Sequence, residues 1–301
     1  MNIIFFGTPT FSYTILKSLY DHHKILAVVT QPDEKKTKPS PVKKFALEHD
    51  LLLFQPQKVK DIDQTLMALN PDIYITAAFG QFIPNTILKH RPAINIHASL
   101  LPQYRGAAPI QYAIKDGCHE TGITIMYMEK EMDAGNIIAK KAVHINEEDT
   151  TTSLTHTLSH IGASLLLETL PMFEGDLPEG QQQDPNLVCF APKWKAEDEL
   201  LHLDLDVNTF INVVRANAAS PGATLKTDQL TLKIYQVRKN DIIQPGPIGY
   251  VHVSKKTLSL SLRDGVIDLL EIQIPGKKKL LIKDFLNGQK TFFEGMIIKE
   301  I

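Results

Sequence analysis

The chain has 301 residues, longer than one hydrophobic core usually organises, so two domains are expected. Its 43% hydrophobic and 22% charged residues exclude a disordered, fibrous or membrane-embedded chain. Net charge is −2, but residues 1–189 carry −5 and residues 190–301 carry +3, which permits an anionic partner for the C-terminal part without demanding one.

In chain order, short apolar runs alternate with amphipathic stretches. Residues 2–6 predict a buried strand and residues 7–9 the turn after it. Residues 10–20 predict a helix, because Phe11, Ile15, Leu16 and Leu19 fall at helical spacing. A strand at 25–30, a helix at 42–49, a strand at 51–54, a helix at 62–69, and strands at 72–77 and 93–97 continue the rhythm. Two more strands, 121–128 and 136–143, precede a long helix at 151–173 with Thr151 or Thr152 as its N-cap. This alternation predicts βαβ units around a mainly parallel sheet. Residues 175–185 lack an apolar period and read as a surface loop, and residues 188–206 as a linker. After a helix at 207–217 the pattern becomes strand-like at 225–237, 249–253, 258–262 and 266–274, which predicts a small all-β barrel.

Cys118 and Cys189 have no CxxC partner, which argues against a disulfide framework or cysteine-ligated zinc; each is expected as a small buried or half-buried hydrophobe. No apolar stretch approaches the roughly 20 residues of a membrane span, and the start MNIIFFGTP lacks a basic leader region, so the expected location is the cytoplasm. Gly7 stands where a dinucleotide-binding turn would begin. Its two companion glycines are missing and Pro9 has no N–H to offer, so the turn is read as structural.

Chemistry is expected at the carboxyl ends of the sheet strands. Asn95 and His97 are two apart in a strand and therefore project to one side. Asp133 lies in a turn, MDAG, between two later strands. Asn and His offer N–H donors, and Asp can orient the imidazole. No nucleophile with a positioned base accompanies them, so the set suits oxyanion stabilisation with proton management rather than a covalent intermediate. Taken singly, each is more ordinarily a strand-end histidine or a turn aspartate.

The linked pattern alters that balance. Residues 95–111, NIHASLLPQYRGAAPIQ, resemble the signature of the folate-dependent formyltransferases. RGAAPIQ at 105–111 resembles the branch that acts on methionyl initiator tRNA. Further matches are FFGTPTFS at 5–12, TQPD at 30–33, PSPVK at 39–43, TGITIM at 121–126, MDAG at 132–135 and PGKKKLLIKDFLNG at 275–288. The resemblance implies an α/β fold: a Rossmann-like formyltransferase domain at 1–189 with a mainly parallel sheet, a linker at 190–206, and a C-terminal OB-like β-barrel domain at 207–301. It implies Asn95, His97 and Asp133 as catalytic residues and Ser99, Leu100, Leu101 and Pro102 as the tetrahydrofolate segment. It implies 10-formyltetrahydrofolate as donor, the α-amine of methionyl initiator tRNA as acceptor, and no metal; no membrane and a monomer are expected besides. A formyltransferase for another amine, such as an amino sugar, and a non-catalytic folate- or tRNA-binding protein are the alternatives.

Two segments depart from the family pattern. The basic insertion between TQPD and PSPVK is reduced to residues 34–38, leaving Lys35, Lys36 and Lys38 to meet tRNA phosphates or to form a solvated turn. The aromatic residues expected between RA at 215–216 and PGA at 221–223 are replaced by NAAS at 217–220. Lys277, Lys278 and Lys279 form the densest basic run and match a family segment, with a charged hairpin as the plainer reading.

Overall fold

The computed structural model describes residues 1–33, 38–218, 221–228, 230–288 and 294–300. They divide into two units. One comprises Met1–Pro109, Glu120–His144 and Thr155–Lys193; the other comprises Ile110–His119, Ile145–Leu154 and Trp194–Ile301.

The first unit is built on β1 (Asn2–Gly7), β2 (Lys24–Val29), β3 (Leu53–Phe54), β4 (Ile73–Ala77), β5 (Ala93–His97), β6 (Arg105–Gly106), β7 (Glu120–Tyr127), β8 (Ile137–His144) and β9 (Phe190–Ala191). Seven of these form one sheet in the order β3-β2-β1-β4-β5-β7-β8, while β6 pairs with β9 alone. Neighbours from β3 through β5 are parallel. β7 and β8 join antiparallel. Helices α1 (Thr10–Tyr20), α2 (Pro41–Glu48), α3 (Asp63–Ala68) and α4 (Asn85–Leu88) fill the crossovers. α1 buries the apolar stripe predicted for it, Phe11, Ile15, Leu16 and Leu19. α2 begins where Ser40 accepts from the Lys43 N–H and Pro41 supplies a preset φ. On one face of the sheet Ile4, Phe6, Val29, Tyr74 and Ala93 pack against Leu66 of α3 and Ile87 of α4.

Helix α5 (Pro109–Lys115) and helix α6 (Thr151–Thr169) follow. The expected helix at 151–173 ends its α-helical part at Thr169 and continues as a 3₁₀ turn, Leu170–Phe173. Its cap is Thr150, whose hydroxyl accepts from the Ser153 N–H at 3.3 Å, rather than Thr151 or Thr152. Gly162 of α6 lies against Ile96 and Ile123 on the opposite sheet face.

The second unit holds β10 (Leu200–Leu201), α7 (Val207–Asn217), β11 (Ala223–Lys226), β12 (Thr231–Asn240), β13 (Val251–Val253), β14 (Leu258–Ser261), β15 (Val266–Gln273), β16 (Leu280–Leu281) and α8 (Ile282–Gly288). The sheet order is β10-β11-β12-β15-β14-β13, with β16 on β15. The run at 225–237, read as one strand, is a hairpin: Thr227 N–H donates to the Leu230 carbonyl at 3.0 Å, and β11 returns antiparallel along β12. Residues near the C-terminus curl this sheet toward a barrel, since Thr227 bridges Glu300 and Tyr250 bridges Ile297. α7 is capped by Asp206 and packs Phe210, Val213 and Val214 into the sheet's core.

Asn217 opens the altered NAAS run and is buried. It accepts from Trp194 Nε1 at 2.9 Å and donates to the carbonyls of Asp198 at 3.1 Å and Val213 at 2.9 Å. Lys115 Nζ lies 2.7 Å from Asp198 and 5.3 Å from the centre of the Trp194 ring. The polar residue thus has a structural use where the family pattern has aromatics. Ala219 and Ser220, the end of that run, lie outside the described residues.

Candidate active site

Asn95 and His97 share a face of β5, as their spacing predicts, and both reach Asp133. Asn95 Nδ2 donates to Asp133 Oδ1 at 3.4 Å, and His97 Nδ1 lies 3.7 Å from Asp133 Oδ2. Asp133 comes to them from a turn between two antiparallel strands. β7 runs antiparallel to β5, with Tyr127 beside Ile94 and Thr124 beside His97. The end of β7 therefore lies at the amino end of β5. The chain then turns back, so that Asp133 crosses to the two polar side chains.

Main-chain groups complete the arrangement. His97 Nε2 donates to the Tyr104 carbonyl at 2.9 Å; a carbonyl only accepts, so Nε2 carries a proton. Gly106 N–H donates to Asp133 Oδ2 at 2.9 Å. The loop holding these groups is strained, with φ of 60° at Tyr104 and 52° at Asp133. Gly106 has φ 128°, and a Cβ there would lie 2.4 Å from the Ala191 carbonyl oxygen. That contact explains the glycine of the RGAAPIQ segment: β9 lies directly against it.

Gln183 carries no signal in the sequence, because it sits in the polar run read as a surface loop. It is instead buried. Its Nε2 donates to the carbonyls of Asp133 at 2.8 Å and Gly135 at 2.9 Å. Its Oε1 accepts from Arg105 Nε at 3.0 Å and Nη2 at 2.9 Å. Arg105 Nη1 also lies 3.4 Å from the exposed Glu131 carboxylate. Gln183 so ties the turn at Asp133 to the segment after the SLLP motif.

Ser99, Leu101 and Pro102 are buried, and only Leu100 is half-exposed. Ser99 Oγ donates to the Gln103 carbonyl at 2.6 Å. Thr124 Oγ1 donates to the Ser99 carbonyl at 2.7 Å and accepts from Leu101 N–H at 3.0 Å. Leu101 packs with Met126 and Ile137. The motif is therefore mainly a folded scaffold, with Leu100 its one half-exposed side chain. Beside Asn95, in register on β4, the buried Thr76 hydroxyl finds no hydrogen-bond partner among the described residues. Buried hydroxyls are ordinarily paired, so this one fits a polar group brought by a ligand.

The candidate tRNA contacts lie in two separate segments of the chain. Lys35 and Lys36 lie outside the described residues, and Lys38 is exposed. Lys277, Lys278 and Lys279 are exposed in the second unit, at the turn before β16. Lys279 is already engaged, 3.3 Å from Glu271 and 3.8 Å above the Tyr235 ring centre. Cys189, expected buried or half-buried, is exposed, and its Sγ accepts from the Tyr104 N–H at 3.2 Å. No helix among the described residues is long and apolar enough to cross a membrane.

Comparison with known proteins adds a second line of observation. Residues 1–170 match the model of the family described as formyl transferase, and residues 193–290 match that of the formyl transferase C-terminal domain. A methionyl-tRNA formyltransferase of Lactobacillus johnsonii is 41% identical, covering 97% of this chain and 96% of its own. A methionyl-tRNA formyltransferase of Staphylococcus aureus is 40% identical, covering 97% and 98%. Among solved structures, HypX from Aquifex aeolicus in complex with tetrahydrofolic acid superposes with TM-score 0.66 at 19% identity, covering 99% of this chain and 50% of that one. WlaRD, a sugar 3N-formyl transferase, gives 0.66 at 18% identity, covering 92% and 99%. These two similarities concern the fold.

Proposed function

The chain belongs to the formyl transferase family, and from that premise we propose that it transfers the formyl group of 10-formyltetrahydrofolate to the α-amine of methionyl initiator tRNA, in translation initiation. Near-full-length identity of about 40% to methionyl-tRNA formyltransferases supports the acceptor. The observation that carries the chemistry is the meeting of Asn95, His97 and Asp133 on one face of β5. Residues 1–189 act as the catalytic domain, 190–206 as the linker, and 207–301 with Lys38 as the tRNA-facing part.

When bound, the donor supplies the electrophilic formyl carbon; the half-exposed Leu100 and the orphan Thr76 hydroxyl are the groups here suited to hold it. Asn95 offers the formyl oxygen an amide N–H as negative charge gathers there. His97 becomes the second donor when its Nε2–H turns from the Tyr104 carbonyl, which holds it until then, to the formyl oxygen. Asp133 faces the attacking amine and takes its proton as the new C–N bond forms. It then returns a proton toward the departing folate nitrogen. Gly106 N–H keeps the Asp133 carboxylate in place through both transfers. No side chain is required to bond covalently to the formyl group.

The test is an acceptor panel with 10-formyltetrahydrofolate, charged initiator tRNA and amino sugars, run on wild type and His97→Ala. Formylation of charged tRNA that falls about 10²-fold or more in the variant is expected. Formylation of a sugar alone would reject the acceptor, and an unaffected variant would reject the site.

A further inference from the structure

Two large apolar side chains next to the catalytic turn face outward. Met132 is 52% exposed and Phe190 is 68% exposed. Isolated exposed apolar residues are common and call for no explanation; the placing of these two does. Met132 immediately precedes Asp133. Phe190 pairs with Arg105 in β9–β6, and the next pair joins Ala191 to Gly106. The Gly106 N–H in turn donates to Asp133 Oδ2 at 2.9 Å. With strands about 4.8 Å apart and successive Cα atoms about 3.8 Å apart, the Phe190 backbone lies within about 10 Å of that carboxylate.

The Phe190 backbone is also held on both sides. The Cys189 carbonyl accepts from Arg105 N–H at 2.9 Å, and the Ala191 carbonyl accepts from Ala108 N–H at 3.2 Å. Arg105 itself is anchored by Gln183, which grips the Asp133 carbonyl. The phenyl ring is therefore presented from a fixed edge, in the same hydrogen-bonded frame as the catalytic turn, and not from a loose loop.

We infer that Phe190, together with Met132, receives the side chain of the acceptor's amino acid and so reads methionine. The inference rests on the proposed acceptor. For the α-amine to reach Asp133, the α-carbon must stand beside that carboxylate, and the amino-acid side chain leaves from that carbon. Methionine is unbranched, with three rotatable bonds and a polarisable sulfur that favours aromatic edges. It is long enough to reach outward from that carbon and replace water on exposed apolar surfaces. A small or polar side chain gains nothing there.

The experiment uses the full-length enzyme, 10-formyltetrahydrofolate, and initiator tRNA charged with methionine, norleucine or alanine. Wild type is compared with Phe190→Ala and Phe190→Leu. Phe190→Ala is expected to lower kcat/KM for the methionyl acceptor about tenfold, leave the alanyl acceptor within about twofold, and place Phe190→Leu between. Norleucine should follow methionine, with any remaining difference measuring the sulfur–ring contact. An equal fall for methionyl and alanyl acceptors, or no change for either, overturns the inference while leaving the proposed function standing. Failure of the wild type on every charged tRNA refutes the function, and the inference with it. Because Phe190 is exposed, the melting temperature of both variants is expected to match wild type.

Discussion

Gln183 joins Arg105 to the Asp133 turn through opposite ends of one carboxamide: Oε1 accepts from Arg105 Nε and Nη2, and Nε2 donates to the carbonyls of Asp133 and Gly135. A side chain with a donor group and an acceptor group is needed there, and the site is buried. Gln183→Leu leaves the guanidinium and two carbonyls without their partner. Each unmet buried group costs about 1–3 kcal/mol, so the variant should lose at least about 2 kcal/mol in urea unfolding. With the turn displaced, kcat should fall about tenfold or more. Wild-type values in both measurements would show that Gln183 is dispensable.

Asp133→Asn keeps the shape of the side chain and an acceptor oxygen for the Gly106 N–H, but removes the negative charge. If Asp133 manages the proton, kcat falls about 10²–10⁴-fold with little change in donor KM. A fall below threefold, measured with saturating donor, would make Asp133 only a turn residue.

Gly122 is the tightest point beneath the SLLP motif. A Cβ there would lie 2.3 Å from the Lys141 carbonyl oxygen and 2.5 Å from Leu100 Cδ2. Gly122→Ala must both move Leu100 and part β7 from β8. The expected result is a stability loss of about 1–3 kcal/mol and a raised KM for 10-formyltetrahydrofolate, with the tRNA KM unaffected. Donor titration checks this; an unaltered donor KM would remove Leu100 from the donor site.

In the second unit, Asp268 is a buried carboxylate bonded to Arg238 at 2.8 Å, Asn240 at 2.7 Å and Ser259 at 2.7 Å. Burial presses its pKa upward, but those hydrogen bonds and the Arg238 charge outweigh burial and hold it below the usual carboxylate value. A depressed folded-state pKa stabilises the fold above the unfolded value of about 3.9, and the contribution is lost as pH falls through the folded pKa. The stability advantage of wild type over Asp268→Asn should therefore be full at pH 6 and shrink below about pH 4. Urea titrations across that range test it; a constant difference would contradict it.

Local regularities made much of the fold legible. The stripe Phe11, Ile15, Leu16, Leu19 marks a helix face because side chains at that spacing share one side, and Asn95 and His97 share a face because strands alternate. The SLLP and RGAAPIQ segments likewise identify the family, because each is continuous in the chain. What no continuous segment contains is the return of the turn after an antiparallel β7. That return brings Asp133 to Asn95 across 38 residues, and a register between strands is set by packing, not by the spacing within either strand. The break at 227–230 was hidden for a related reason: residues on both sides alternate, and only the backbone bonds of Thr227 show the turn.

The sequence by itself thus determined the family and most of the strand–helix alternation of the first unit, and it marked Asn95, His97 and Asp133 as candidates. Only the tertiary structure decided what holds and flanks them. Gln183, Tyr104 and Gly106 act through groups that sequence pattern does not mark: one amide in a polar run, one carbonyl and one N–H. Main-chain donors and acceptors are the same at every residue, so their use depends on where the chain places them. The same holds for Phe190, whose nearness to Asp133 comes from the β6–β9 pair joining residues 105–106 to 190–191.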